Sequence, residues 1–158
     1  CRTNWIAFRV TESKYEFLGD FRYFLINKGF VGSGADADAS FWVERYAEAE
    51  ESYCATRENF NREGVLRRPN CEPSPWWESL GGAARSENWA EYGEIGLEFE
   101  PCSDDPWLNS AHPLTDDGRR FRFVGEVVGH AYRENGADGV LLFFDPQTST
   151  ALITFEWT

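Results

Sequence analysis

Three glutamates, Glu94, Glu98 and Glu100, are interleaved with Ile95, Leu97 and Phe99 in the segment EIGLEFE. Neighbouring carboxylates perform hydrolytic acid–base chemistry when their surroundings split their pKa values, leaving one protonated and the other ionised. Arg120 and Arg122 repeat the same alternation further along the chain. Cross-strand ion pairs between the two rows explain both together, so the row reads as a solvated strand face.

Other acids group in loops. Asp36 and Asp38, in GADADAS, have the alternating-oxygen pattern of a calcium loop, but Ala47 stands where such a loop needs its terminal glutamate. Asp104, Asp105, Asp116 and Asp117 flank prolines and glycines, where turn chemistry accounts for them. Asp104 and Asp105 also border Trp107 and count with it as candidate binding residues.

Nucleophilic chemistry finds little support. A serine triad needs an elbow of the G-x-S-x-G kind, and the chain has none. Cys54 with His130 is an arrangement the sequence permits, although a disulfide-permissive setting disfavours an unpaired catalytic thiol. His112 lies beside Pro113 in a loop. No catalytic residue, metal site or cofactor is assigned, and the chain is expected not to be an enzyme.

Trp76, Trp77, Trp89 and Trp107 fall in irregular stretches rather than on periodic apolar faces. Loop aromatics form sugar-stacking platforms or protein-binding hot spots; the alternative is a small second core beneath the loop.

Cys1, Cys54, Cys71 and Cys102 show neither CxxC nor CxxCH spacing, and only 2 histidines accompany them. Zinc and c-type haem therefore lack their ligand pattern, and disulfide bonding is the better reading. Methionine is absent and the sequence opens at Cys1, which suggests a removed export signal. Cys1 also resembles the lipid-modified cysteine of mature bacterial lipoproteins. That resemblance implies an anchored protein with one bridge and one leftover thiol among Cys54, Cys71 and Cys102, whereas an unmodified Cys1 permits two bridges. Either branch implies an extracytoplasmic location, periplasmic, membrane-anchored or secreted.

The net charge of −12 makes nucleic acid an unsuitable partner and favours either solubility alone or a basic protein. No stretch approaches the length of apolar residues that spans a bilayer, so membrane contact is expected only through a lipid on Cys1.

Several elements must position these residues. Trp5 to Val10 is bulky and β-prone and predicts a strand. Ser13 to Glu16 has the form of a capping box, followed by Phe17, Leu18, Phe21, Phe24 and Leu25 at helical spacing up to Gly29. A loop spans Val31 to Ser40. From Ser40, the residues Trp42, Val43, Tyr46, Ala47, Tyr53 and Cys54 fit a second helix. Residues 61 to 91 are irregular and rich in proline and tryptophan, with Ser74–Pro75 placed to open a short helical turn. EIGLEFE predicts a half-buried strand, a turn-rich stretch runs from Pro101 to Gly118, and RRFRFVGEVVGHAY predicts a long strand bent or bulged at Gly125 and Gly129. GVLLFFD and ALITFEWT predict a closing β-hairpin.

The order predicts one α+β domain over residues 1–158: an antiparallel sheet made of the N-terminal strand and a four-strand C-terminal meander, with one or two helices on one face. The leading functional expectation is an exported, non-enzymatic binding protein, most concretely a periplasmic immunity or inhibitor lipoprotein that neutralises a toxin or hydrolase. A carbohydrate-binding module using the loop tryptophans is the alternative. A structural component of a surface assembly, pairing through the edge of its hairpin, is a third.

Overall fold

The β-prone run at the start forms β1 (Trp5–Val10) of the computed structural model, which describes residues 4–24, 39–91, 95–102, 105 and 107–157. The next segment departs from the predicted helix. It folds back as β2 (Tyr15–Phe17), antiparallel to β1 with Val10 opposite Tyr15. Thr11 closes the turn by donating its backbone N–H to the Lys14 carbonyl at 2.9 Å, and Glu16 reaches across to Arg9 at 3.3 Å instead of back to a helix cap. Phe17 stacks at 5.7 Å from Phe8. A capping box offers two local hydrogen bonds, and pairing with an existing strand outweighs them. Among the described residues of this segment, helical geometry is limited to a 3-10 turn at Phe21–Tyr23, capped by Asp20, whose Oδ1 accepts from the Arg22 N–H at 2.8 Å. Leu25 and Gly29 lie outside the described residues.

The second helix is present as α1 (Ala39–Glu63). It ends at Gly64, whose φ of +69° supplies the left-handed C-terminal cap and whose N–H bonds the Phe60 carbonyl at 2.8 Å. Of the predicted apolar set, Val43, Tyr46 and Tyr53 are exposed, while among the described side chains of the helix Ala49 and Thr56, seven residues apart, are buried. Small residues let the backbone approach its neighbours closely, so the buried stripe is invisible to a search for bulky periodicity.

Beyond α1, residues 64 to 78 are irregular and the helical turn expected at Ser74–Pro75 does not form. Then follow β3 (Ser79–Leu80), α2 (Asn88–Glu91), β4 (Leu97–Pro101), β5 (Asn109–Pro113), β6 (Arg122–Val127), β7 (Gly139–Asp145) and β8 (Thr150–Glu156). The main sheet is antiparallel, in the order β2-β1-β8-β7-β6-β3. The expected α+β class therefore holds, with the N-terminal strand lying beside the C-terminal hairpin. The meander runs through β6, β7 and β8 only. β4 leaves it to pair with β5 in a separate two-stranded sheet, and β5 arises inside the stretch read as turns. The long strand stops at Val127, with the anticipated bulge between Phe123 and Gly125 and a 3-10 turn at Gly129–Ala131 that takes His130 out of the strand.

Two compact units result: Cys1–Leu18 with Trp77–Val127 and Ala137–Thr158, and Gly19–Trp76 with Val128–Gly136. In the first, alternation in β7 and β8 turns Leu141, Phe143 and Leu152 to one face, where Trp5, Trp89 and Phe123 join them. The Trp89 ring lies 5.8 Å from Trp5 and 5.4 Å from Phe143. Ala111 of β5 is wholly buried in the same core, with Ile95 and Leu97 packed beside it. In the second unit, the Ser52 hydroxyl of α1 accepts from the Glu134 N–H at 2.8 Å, fastening the 129–136 loop, and the Phe60 and Trp76 rings meet edge-on at 4.5 Å.

Candidate functional site

Antiparallel pairing of Leu97 with Pro113 and of Pro101 with Asn109 defines a hairpin with residues 102 to 108 at its tip. The tip is closed by main-chain bonds. Cys102 donates to the Leu108 carbonyl at 2.9 Å, Leu108 donates to the Asp105 carbonyl at 3.1 Å, and the Trp107 N–H donates to Asp105 Oδ1 at 3.0 Å. Asp105 is thus a turn-former, as its sequence context suggested. Its hydrogen bond fixes the Trp107 backbone while the indole stands 92% exposed. Asp104 lies outside the described residues.

On the hairpin's other side chains, strand alternation separates Glu98 and Glu100 from Leu97 and Phe99. Leu97 is partly buried against the core, but Phe99, expected to face inward, is half exposed. The two glutamates flank one cation. Arg120 grips Glu98 through Nε and Nη2, both at 2.8 Å, and reaches Glu100 through Nη1 at 3.0 Å. His112, opposite Glu98 in the ladder, meets Glu100 Oε1 at 2.9 Å. Arg120 holds both carboxyls below the usual glutamate range, and His112 adds to the effect on Glu100. A carboxyl held ionised cannot donate a proton at neutral pH, so this pair presents charge and does not supply a general acid. The expected ion pairing is present for Arg120; Arg122 instead sits opposite Phe144 in β6. Glu94 lies outside the described residues.

The other tryptophans separate. Trp76 and Trp77 are each about half exposed. Trp89, counted among the loop tryptophans, is 1% exposed and belongs to the core. It sits on α2, donates its indole N–H to the Arg85 carbonyl at 2.8 Å and packs on Trp5 and Phe143. A four-residue helix is too short to show a period, which is why its sequence gave no core signal.

Cys54, Cys71 and Cys102 are free thiols, so the bridge expected among them is not formed in this structure; Cys1 lies outside the described residues. Asp36 and Asp38 do as well. No group of three metal-ligating side chains occurs among the described residues. No described helix is long and apolar enough to cross a membrane.

Two acidic constellations escaped the sequence reading. At one end of the core face, Glu126 of β6 and the buried Glu156 of β8 flank Gly139, with Glu87 ahead of α2. Burial raises the Glu126 carboxyl first, and Glu87, Glu78 and Glu156 raise it further; Glu87 is raised in the same way by burial and by Glu156. At the other end, Arg119 donates through Nη1 to the buried Asp145 at 2.6 Å and through Nε to Asp117 at 2.9 Å. Asp145 also accepts from the Thr148 hydroxyl at 2.6 Å and from the Thr148 and Gln147 backbones, which with Arg119 hold its carboxyl far below the ordinary value. The turn that carries Asp117 closes through the Gly118 N–H on the Thr115 carbonyl at 2.9 Å, with Gly118 at φ +81°. The Thr-Asp-Asp-Gly string signals that turn; the pairing of Arg119 with Asp145, 26 residues further on, has no local signature. No family model, curated protein or solved structure matches this chain, and the candidate site rests on its own geometry.

Proposed function

We propose that this chain is a non-catalytic binding protein whose β4–β5 hairpin engages a basic protein partner, most concretely as an exported immunity or inhibitor protein that covers a toxin or hydrolase. The observation that carries the reading is Trp107: its backbone is fixed by Asp105 while its indole is 92% exposed. A large aromatic presented to water removes much apolar area from solvent on docking, which is how hot-spot tryptophans act. Phe99 offers further apolar surface on the same hairpin, and a net charge of −12 steers a basic partner towards it. Export enters the proposal from the cysteine spacing of the sequence alone, since Cys54, Cys71 and Cys102 are unbridged.

The test is retention of a basic protein from host extract on the immobilised chain. Wild type is expected to retain it at low salt, with faster association than at high salt, and Trp107→Ala to weaken it by about tenfold or more, as for a residue worth over 1.4 kcal/mol. No retained protein at any ionic strength overturns the reading, as does equal retention by Trp107→Ala. Recovery of the native protein only from the cytoplasm overturns the exported form. Exposed Trp107 also suits sugar stacking, and salt-independent glycan binding that Trp107→Ala abolishes would replace the protein partner with a carbohydrate. The surface-assembly alternative loses its proposed edge, since β7 and β8 are interior strands, flanked by β6 and β1.

A further inference from the structure

The first unit contains a cleft of about 720 Å³ with an apolar side and an acidic side. Ala7, Leu114, Phe121 and Leu152 line it, and Phe121 and Leu152 also belong to the core, so the cleft continues the core towards solvent. Asp116, Asp117 and Arg119 line the polar side, with Thr148 beside them. Arg119 is already engaged by Asp117 and by Asp145. Asp116 is exposed and has no ion-pair partner among the described residues. Two carboxylates, Asp116 and Asp117, thus line the cleft beside one guanidinium that is already shared with Asp145, which leaves the lining with excess negative charge.

A second feature points to an occupant. Trp5 lines the cleft and is 2% exposed, yet its indole N–H is a buried side-chain donor without an acceptor among the described residues. Leaving such a donor unmet is unfavourable, and a ligand carbonyl brought beside it would relieve the cost.

We propose that this cleft receives an arginine-bearing peptide segment of the partner protein. The proposal rests on the reading of this chain as a binder of a basic protein. The volume falls within the roughly 300–1,000 Å³ of ordinary ligand sites and exceeds what one side chain fills. The methylene stem of an arginine lies along Ala7 and Leu114, its guanidinium meets Asp116, and the flanking peptide supplies a carbonyl for Trp5. Arginine is favoured over lysine because its planar head is weakly hydrated and matches a carboxylate with two parallel hydrogen bonds. The local acids already engage Arg119 through one hydrogen bond each.

The experiment is an amide-resolved NMR titration of the full chain with acetyl-Ala-Arg-Ala-amide. Parallel titrations use the lysine and norleucine peptides and guanidinium chloride. Saturable shifts are expected at Gly96, Thr115, Asp116 and Thr148, with the norleucine peptide about tenfold weaker, as for the loss of one charge-assisted contact. Asp116→Asn, an exposed change that leaves the fold intact, is expected to weaken the arginine peptide several-fold. Shifts scattered over the surface, equal shifts with guanidinium chloride, or an unchanged affinity in Asp116→Asn would overturn the cleft. A partner that depends on Trp107 while the peptide leaves these amides unmoved removes the cleft and keeps the proposed function. Peptide binding without any retained partner does the reverse.

Discussion

Glu156 accepts a hydrogen bond from the backbone N–H of Trp89 at 2.8 Å, with its carboxylate buried at the end of β8. This bond holds α2 against the sheet at the point where the Trp89 ring enters the core. Helix N-termini carry unpaired N–H groups, and a carboxylate satisfies one of them while favouring the local dipole. Glu156→Ala is expected to lose about 1–3 kcal/mol of stability, the cost of an orphaned buried donor. Glu156→Gln keeps an acceptor oxygen and should lose less. Urea unfolding of the two variants checks the order; equal losses would mean that the bond contributes nothing beyond packing.

Glu126 is destabilising at neutral pH. Its carboxyl is raised above the ordinary 4.5, first by burial and then by Glu87, Glu78 and Glu156, with Arg85 opposing. Well below 4.5 the group is protonated in both folded and unfolded chains and has no effect. As pH rises, the unfolded chain ionises first, so folding is progressively disfavoured until the folded group ionises as well. Glu126→Gln should therefore raise the thermal midpoint at pH 7, with the gain closing as the pH falls below the ordinary glutamate range. A constant gain at all pH values would assign the effect to packing.

Asp145 has the opposite sign. Arg119 and Thr148 hold its carboxyl far below the ordinary 3.8, so its contribution is complete above that value and fades as pH falls towards the folded pKa. Asp145→Asn is expected to lower the thermal midpoint by several degrees at pH 7 and to differ less from wild type in strong acid. The contributions of Glu126 and Asp145, taken by themselves, both favour the mildly acidic range. Calorimetry across pH 2 to 8, a range of about six units chosen to span both titrations, tests the pair.

The parts of this fold legible in the sequence are those whose reason is local. β7 and β8 alternate cleanly, Gly125 marks its bulge, and Asp105 and Asp117 sit in the turns their neighbours dictate. Ser13 to Glu16 misled because a good local motif competes with a strand partner that the sequence does not place: β2 pairs with β1, which itself lies between β2 and the distant β8. β5 was hidden because NSAHP lacks bulky β-formers and earns its place through Ala111, which is small enough to enter the core. In the candidate site, the Glu98–Arg120 pairing was legible from matching alternation, and Trp107 from its loop position. Trp89 looked the same in sequence, and only the contacts of its ring with Trp5 and Phe143 distinguish the two.

The sheet edge offers a sharper test of how β3 is held. At Gly125 an added Cβ would lie 2.7 Å from the Ser79 carbonyl oxygen, 3.0 Å from Leu80 Cδ2 and 3.3 Å from Trp77 Cε3. The first contact is with backbone and cannot be relieved by a rotamer change, so Gly125→Ala must push β3 away from β6. The bonds at risk are those from Glu78 N–H to the Glu126 carbonyl at 2.8 Å and from Gly81 N–H to the Val124 carbonyl at 2.9 Å. The expected loss is about 1–3 kcal/mol, the range for overpacking a tight site. Hydrogen exchange should quicken at Glu78 and Gly81, whereas the Leu141 and Phe143 amides in the sheet interior should keep their order of protection. If all four amides quicken together, β3 is part of the global cooperative unit and not a separately attached edge.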